Sequence, residues 1–169
     1  MSLTFLLGGA RSGKSARATE LASRWNGPVS FIATGEPGDE EMAERIRLHR
    51  AERSGDWETI EEPLQLEAAL SRIPSEHAVV VDCLSLWVAN LLERGDDDMV
   101  SAASDRAAAV ARARSSPTIV VSNEVGLGVV PPSRLGRRYR DVLGRVNAHW
   151  AAVADEAAFV VAGRALPLR

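Results

Sequence analysis

The fold of this chain is decided near its amino terminus by the stretch Gly8-Gly9-Ala10-Arg11-Ser12-Gly13-Lys14-Ser15. It matches the pattern G-x-x-x-x-G-K-[ST], between an apolar run at 3–7 that predicts a buried strand and a helical pattern at 14–25. Glycines let successive N–H groups face inward as an anion-binding nest, and the helix adds the positive end of its dipole. We therefore predict a loop that binds a nucleoside triphosphate, with Lys14 on the terminal phosphates and the Ser15 hydroxyl on Mg²⁺. The alternative is a glycine-rich turn that merely contains Lys and Ser, and the strand–loop–helix order disfavours it.

Beyond this loop, short apolar runs alternate with helical patterns. Strands are predicted at 29–33, 57–60, 78–82, 118–122 and, as the last one, 157–162. Helices are predicted at 39–53, 64–73, 84–92, 99–114 and 133–156, with Asp96-Asp97-Asp98 as a surface turn or N-cap cluster. Near-continuous apolar strands separated by helices indicate a parallel sheet covered on both faces. We expect one α/β domain over 1–169 with a P-loop nucleotide-binding fold.

Composition excludes several classes of protein. The chain has 169 residues, a net charge of −3 and 46% hydrophobic residues, which disfavours intrinsic disorder. A single cysteine, Cys83, rules out an intramolecular disulfide and a multi-cysteine zinc site. No apolar stretch approaches the roughly 20 residues of a membrane helix, and the first residues lack the features of a signal peptide. Mild acidity disfavours nucleic-acid binding, so we expect a soluble cytoplasmic protein.

A carboxylate and two further polar residues follow the predicted strands. Asp82 ends a strand expected next to the phosphate loop, where it would help Ser15 to hold Mg²⁺; an N-cap for the following helix is the alternative, and both roles can coexist. Asn123 and Glu124 follow another strand, where they would position a substrate hydroxyl or support the metal, or else serve turn chemistry and capping. No Asn-Lys-x-Asp run is present, which disfavours a switch GTPase and leaves a small-molecule kinase as the default.

The three histidines differ in their surroundings. His49 lies in the predicted helix at 39–53 among arginines, which would favour its neutral, nucleophilic form and attract phosphates. An ordinary solvated helix face with Arg45, His49 and Arg53 at four-residue spacing is the alternative. His77 is expected to be solvated and His149 partly packed. A further group of basic residues lies in the predicted helix at 133–156: Arg134, Arg137, Arg138 and Arg140. These arginines could cover a phosphate as a lid, but the preferred interpretation is a solvated helix face.

Several blocks, taken in order, resemble the bifunctional adenosylcobinamide kinase/adenosylcobinamide-phosphate guanylyltransferase family of cobalamin biosynthesis. The blocks are 8–15, 32–34, 41–46, His49-Arg50, Trp57, 59–63, 81–84, 90–92, 122–131 and 144–147. The phosphate loop alone is unspecific, but its combination with the histidine block and the Asn-Glu-Val-Gly block is specific. Departures are Ser54, where a proline is usual, and a loosely matching segment at 163–169, so the sequence does not place the corrinoid contacts.

The resemblance implies two reactions. ATP or GTP phosphorylates the aminopropanol hydroxyl of adenosylcobinamide, and a histidine, here His49, then attacks GTP to form a covalent GMP–histidine that passes GMP to the corrinoid phosphate. Lys14 is the second catalytic residue, Mg²⁺ is the cofactor, and a homo-oligomer, in the first instance a trimer, is implied. The implied nucleotide-binding residues are Gly8, Gly9, Ala10, Arg11, Ser12, Gly13, Lys14, Ser15, Ala33, Thr34, Gly35, Arg50, Ala51, Glu52, Arg53, Glu61 and Asp82. As a hypothesis, Glu61 accepts hydrogen bonds from the guanine N1–H and amino group.

Overall fold

The computed structural model describes residues 3–36 and 57–168, which contain seven strands and five helices. The strands are β1 (Leu3–Gly8), β2 (Val29–Ala33), β3 (Glu58–Glu61), β4 (Ala78–Asp82), β5 (Thr118–Asn123), β6 (Glu156–Val161) and β7 (Arg164–Leu168). The helices are α1 (Lys14–Ala22), α2 (Leu66–Arg72), α3 (Leu84–Leu92), α4 (Asp97–Ala113) and α5 (Arg134–Val153). The predicted helix at 39–53 lies outside the described residues.

The strands form one sheet in the order β3-β2-β4-β5-β1-β6-β7, and all neighbours except β6 and β7 are parallel. Alternate strand residues face opposite sides, as the twofold period of a strand requires. Val79 and Val81 pack with α2 to α5, whereas Val80 packs in a second cluster with α1. The prediction of a mostly parallel sheet with helices on both faces is therefore confirmed.

The helix boundaries follow local capping. The Asp96 carboxylate accepts a hydrogen bond from the Met99 N–H (2.9 Å), so α4 begins two residues earlier than predicted, within the expected N-cap cluster. Ser133 caps α5 in the same way by accepting from the Gly136 N–H. The first and last predicted helices are shorter than expected, ending at Ala22 and Val153.

The prediction that the strand at 157–162 is the last one is wrong. The chain turns at Ala162-Gly163 and returns as β7, antiparallel to β6. Both turn residues have positive φ, 50° and 73°, as a two-residue hairpin turn of the right twist requires. The five residues of β7 include Pro167 and no β-branched or aromatic residue, so the sequence lacks the usual signal of a strand; all five are exposed.

A buried arginine holds the opposite, amino edge of the sheet. The Arg114 guanidinium is 8% exposed and donates to the carbonyl oxygens of Leu70, Ile73, Pro74 and His77 at 2.8–3.0 Å. These carbonyls belong to the end of α2 and the segment that leads into β4, and the Pro74 carbonyl also accepts from the His77 N–H at 3.1 Å. Arg114 therefore supplies the donors that this connection needs.

The two histidines of the described residues are both half-buried. His77 does not fit the expectation of a solvated side chain, because its Nδ1 lies 2.9 Å from the buried Ser30 hydroxyl. His149 is partly packed on α5, as expected, with Nε2 3.4 Å from an Asp105 carboxylate oxygen.

Candidate nucleotide site

The phosphate loop joins β1 to α1 at the carboxyl edge of the sheet. Gly8 pairs with Asn123 of β5 and Val160 of β6, and a Cβ at Gly8 would overlap the Val160 carbonyl oxygen and lie 2.7 Å from Ser12 Oγ. Gly13, the N-cap of α1, has φ 98°, a conformation that residues with side chains rarely adopt. These two close-packed positions explain why the loop needs glycine there.

The tip of the loop is open to solvent. Gly9 is half-buried, Ala10 and Arg11 are exposed, and Arg11 has φ 55°, which is uncommon outside glycine and recurs at ligand-binding loops. The loop closes through a hydrogen bond from the Ser12 N–H to the Gly9 carbonyl (3.3 Å). The buried Ser12 hydroxyl makes no hydrogen bond in the described part of the chain.

Lys14 lies folded against the loop. Its side chain is buried, and Nζ donates to the Gly9 carbonyl oxygen at 2.8 Å. Burial lowers the pKa of Lys14, and electrostatic interactions with Cys83 and Asp82 oppose this effect to a smaller extent. Ser15 is half-buried in the first turn of α1. The ammonium is thus held at the loop, close enough to Asp82 to feel its charge.

Asp82 lies at the same edge of the sheet, but its strand is not adjacent to the strand of the loop. β5 lies between β1 and β4 in the sheet, yet the charge of Asp82 acts on Lys14, so Asp82 lies near the phosphate loop as expected. The capping alternative for Asp82 is not what the structure shows, because the N-cap of α3 is Cys83. Asp82 is half-buried and lies at the carboxyl end of β4, the edge at which ligands bind in open α/β sheets.

Thr34 holds the junction between β4 and α3. Its side chain is fully buried; Oγ1 donates to the Cys83 carbonyl at 2.7 Å and accepts from the Cys83 N–H at 2.9 Å. Asn90 of α3 donates to the Thr34 carbonyl at 2.8 Å. The Thr34 hydroxyl therefore positions Cys83, the residue that follows Asp82. Of its predicted neighbours, Ala33 is buried in the core and Gly35 is half-buried.

A polar network that sequence reasoning missed extends from this junction. The Ser85 hydroxyl lies 2.8 Å from Cys83 Sγ and accepts from Asn123 Nδ2 at 3.0 Å, and its carbonyl accepts from Tyr139 Oη at 3.1 Å. Burial raises the pKa of Cys83 to about 11 and that of Tyr139 to about 12, so both groups are protonated at neutral pH. Ser85 lies directly after the strand-end motif, and that position is the only sequence signal for it.

The segment after β5 is fixed to α5 and to the phosphate loop. Asn147 on α5 donates from Nδ2 to the Asn123 carbonyl at 3.0 Å and accepts from the Ser122 hydroxyl at 2.6 Å. The Glu124 N–H donates to the Gly8 carbonyl at 3.0 Å, while its carboxylate accepts from the Gly126 N–H. Asn123 and Glu124 thus make the turn and packing contacts expected from their alternative interpretation.

The arginines in the first two turns of α5 have different local partners. Arg138 donates to an Asp97 carboxylate oxygen at 2.7 Å and to the Gly95 carbonyl. Arg137 donates to two proline carbonyls of the preceding turn, and Arg140 pairs with Asp141. Arg134 is exposed.

Five predicted site residues lie outside the described ranges: His49, Arg50, Ala51, Glu52 and Arg53. Glu61 is described; it is exposed at the carboxyl end of β3 and pairs in register with Ala33, which pairs in turn with Asp82. The register therefore brings Glu61, Asp82 and the phosphate loop to one edge of the sheet.

The residues present suit a magnesium ion that arrives with a nucleotide. Within 3–36 and 57–168 there is no group of three or more His, Cys, Asp or Glu side chains that could hold a metal ion. Mg²⁺ needs no such cage, since it typically takes one or two oxygen ligands from the protein and completes its shell with phosphate oxygens and water. The Ser15 hydroxyl and the Asp82 carboxylate are donors of that kind.

Within residues 3–36 and 57–168, no helix has the length and apolar character needed to cross a membrane.

The fold and the loop together define a P-loop nucleotide-binding protein of the α/β class. A prototypical ATPase from the type III secretion system of pathogenic bacteria superposes with a TM-score of 0.54 at 11% identity, covering 94% of this chain. This chain corresponds to about half of that ATPase (50%). The RadB recombinase also superposes with a TM-score of 0.54, at 15% identity, covering 94% of this chain and 73% of its own. At these identities the likeness concerns the fold alone.

Sequence comparison identifies the family. Residues 4–168 match the family model CobU, described as cobinamide kinase / cobinamide phosphate guanyltransferase, and the chain belongs to this family. The bifunctional adenosylcobalamin biosynthesis protein CobP of Pseudomonas aeruginosa is 43% identical over 97% of this chain and 95% of its own. The bifunctional adenosylcobalamin biosynthesis protein CobU of Escherichia coli and that of Salmonella typhimurium are each 37% identical, covering 95% of this chain and 96% of theirs.

Proposed function

We propose that this chain phosphorylates the aminopropanol hydroxyl of adenosylcobinamide with ATP or GTP and then transfers GMP from GTP to the product through a covalent GMP–His49. The observation that carries the proposal is the convergence of the phosphate loop, Lys14 and Asp82 at one sheet edge, in a chain that matches the kinase/guanyltransferase family over 4–168. The expected product is adenosylcobinamide-GDP.

In the kinase step, the acceptor hydroxyl oxygen attacks the γ-phosphorus of the bound nucleotide. The new oxygen–phosphorus bond forms as the bond from the γ-phosphorus to the β,γ-bridging oxygen breaks, the nucleoside diphosphate leaves, and the hydroxyl proton passes to water. Lys14 and the N–H groups of the loop stabilise the charge that develops on the phosphate oxygens. Ser15 and Asp82 would hold Mg²⁺, which supplies further neutralisation of phosphate charge.

In the transfer step, a ring nitrogen of His49 attacks the α-phosphorus of GTP and pyrophosphate leaves. A phosphate oxygen of the corrinoid substrate then attacks the same phosphorus, the phosphorus–nitrogen bond breaks, and the imidazole is regenerated. Two displacements suit imidazole, because it is both a nucleophile and a good leaving group from phosphorus. The same phosphate loop serves both reactions, since each develops charge on a bound triphosphate.

The decisive experiment is covalent labelling with GTP carrying ³²P at the α-phosphate, in the presence of Mg²⁺. We expect label on the protein that is labile in acid and stable in alkali, as a phosphorus–nitrogen bond is, and that is absent from His49→Ala. The matched control is His149→Ala, which removes a half-buried imidazole on α5 and should label like the wild type. Label that persists in His49→Ala, or fails to appear in the wild type, would refute the transfer mechanism.

The two activities are expected to separate. Folded His49→Ala should still move the γ-phosphate of ATP or GTP to adenosylcobinamide, whereas Lys14→Ala should lose both reactions. Should His49→Ala lose phosphorylation as completely as transfer, the histidine would be architectural and a plain P-loop kinase of another small metabolite would be the better assignment. Nucleotide hydrolysis without any acceptor dependence would instead favour a nucleotide-binding regulator.

We also propose that Glu61 contributes to guanine recognition in the transfer step. A carboxylate can accept from both the N1–H and the amino group of guanine, and adenine offers no such pair of donors. Glu61→Gln should therefore lower the preference for GTP over ATP in the labelling reaction, while Glu58→Gln, at the other end of β3, should leave it unchanged. Equal discrimination in wild type and Glu61→Gln would reject this role.

We propose a homo-oligomer, with a trimer as the first expectation. The described surface carries an apolar loop with Leu127, Val129 and Val130 exposed by 80%, 96% and 59%, more than a lone subunit usually leaves in water. Light scattering coupled to gel filtration should give a mass of about three times the 18.2 kDa of the chain. A monomer mass at micromolar concentration would contradict the proposal.

A further inference from the structure

The turn of the carboxyl-terminal hairpin packs directly on the phosphate loop. The Gly163 N–H donates to the Ser12 carbonyl oxygen at 2.8 Å. A Cβ built on Gly13 would lie 3.2 Å from the Gly163 Cα, so the two backbones are in close contact. The turn thus contacts the part of the loop that leads into α1.

This contact sets the direction of a loop donor through the planarity of the peptide group. The Ser12–Gly13 peptide bond is trans, so its C=O and N–H point in opposite directions. When Gly163 holds the Ser12 C=O toward the hairpin, the Gly13 N–H must point away from it. Gly13 is the N-cap of α1 and caps the helix without any side-chain hydrogen bond, so its N–H belongs to the set of donors that an anion can use.

We propose that Gly163 is a positioning residue of the nucleotide site: its N–H orients the Ser12–Gly13 peptide so that the Gly13 N–H faces the phosphates of the bound triphosphate. The inference rests on the proposed use of the loop for nucleotide binding. It assigns a role in that site to a hairpin 150 positions away from the loop, in a segment where the sequence offered no functional residue.

The geometry of the hairpin allows this role to be separated from a role in folding. The turn is held by the β6–β7 ladder, in which Val161 pairs with Arg164 and Val160 with Ala165. All residues of β7 are exposed, so the strand adds no side chain to the buried core. A change at the turn should therefore alter the phosphate loop more than it alters the core.

A graded series of variants tests the proposal. Ala162→Gly keeps the turn and its donor. Gly163→Ala keeps the N–H and meets no atom within 4 Å, but its φ of 73° is strained for alanine. Gly163→Val retains the N–H with greater strain, and Gly163→Pro both removes the N–H and cannot reach a positive φ. If Gly163→Pro does not fold, Gly163→Val carries the test.

The measurement is the dissociation constant of an α,β-methylene analogue of GTP, which cannot release pyrophosphate to His49, compared with that of GMP, by calorimetry with Mg²⁺ in the absence of a corrinoid acceptor. We expect Gly163→Pro to bind the triphosphate analogue about tenfold more weakly, equivalent to one well-placed hydrogen bond, with GMP affinity within about twofold of wild type. Gly163→Val should fall between Pro and Ala, and Ala162→Gly should match wild type.

Two results would overturn the proposal. Unchanged affinity for the triphosphate analogue in folded Gly163→Pro or Gly163→Val would show that the donor is not oriented from the hairpin. An equal loss of GMP and triphosphate affinity would show that the hairpin is merely structural. A wild-type protein that binds no triphosphate would remove the proposed function itself, and the positioning role with it.

Discussion

Replacing Thr34 by valine tests how the carboxyl edge of the sheet is held together. Valine has nearly the same shape as threonine, but it replaces the hydroxyl by a methyl group. Thr34 is fully buried, and its hydroxyl both donates to the Cys83 carbonyl (2.7 Å) and accepts from the Cys83 N–H (2.9 Å). The substitution therefore removes two hydrogen bonds and leaves the packing volume almost unchanged.

The expected loss of stability can be worked from these contacts. The Cys83 N–H would be left buried without a partner, which costs about 1–3 kcal/mol. The Cys83 carbonyl would lose about 0.5–1.5 kcal/mol, since it keeps its second donor, the Trp87 N–H at 3.3 Å. The sum is about 1.5–4.5 kcal/mol. Thr34→Ser keeps the hydroxyl and loses one buried methyl group, which costs about 1 kcal/mol.

Urea unfolding of the nucleotide-free protein at fixed protein concentration provides the assay. With a slope of about 2 kcal/mol/M, the midpoint of Thr34→Val should fall by about 1–2 M and that of Thr34→Ser by about 0.5 M. Asp82 directly precedes the released Cys83 peptide, so Thr34→Val should also require more Mg²⁺ for nucleotide binding. A Thr34→Val protein that is as stable as wild type, or more stable than Thr34→Ser, would refute the reasoning.

Three further predictions concern the edges of the sheet. Arg114→Met should lower the free energy of unfolding, measured with urea, by about 3–5 kcal/mol, because four carbonyls lose a charged donor. The control Arg106→Met breaks one exposed ion pair and should cost about 1 kcal/mol or less, so equal losses would contradict this prediction. Since the pKa of Cys83 is raised to about 11, iodoacetamide at pH 8 should alkylate the folded protein at least about a hundredfold more slowly than the urea-unfolded protein. The stability that this protonated thiol contributes should be lost as the pH rises from about 9 to about 11. Comparable alkylation rates would show an accessible thiolate. Gly8→Ala should destabilise the protein by about 1–3 kcal/mol and abolish triphosphate binding, as its Cβ would overlap the Val160 carbonyl; retained calorimetric binding would refute the close packing of β1 on β6.

Much of the fold was predictable because its signals are local. Buried parallel strands need continuous β-branched runs, and Val79-Val80-Val81 and Ile119-Val120-Val121 carry that pattern within five or six residues. The phosphate loop is equally local, since its glycines, lysine and serine act within one turn of chain between a strand and a helix. Capping at Asp96 and Ser133 likewise involves hydrogen bonds over three residues.

The order of the strands and the contacts across them had no such signal. The hydrophobic periodicity of a sequence indicates which strand residues are buried, but it does not indicate which strand lies beside which. It therefore could not show that β5 separates β1 from β4. β7 is a short exposed strand with a proline and no β-branched or aromatic residue, so it escaped prediction.

The amino-acid sequence by itself determined the class of fold, the phosphate loop and the family, because these depend on residues close together in the chain or on motifs in a fixed order. Only the tertiary structure decided that Thr34 holds Cys83, that Ser85 links Asn123 to Tyr139, and that Gly163 contacts the phosphate loop. These hydrogen bonds join residues about 40–150 positions apart. They form because chain crossovers bring distant strand ends to one edge of the sheet, where buried donors and acceptors must find partners.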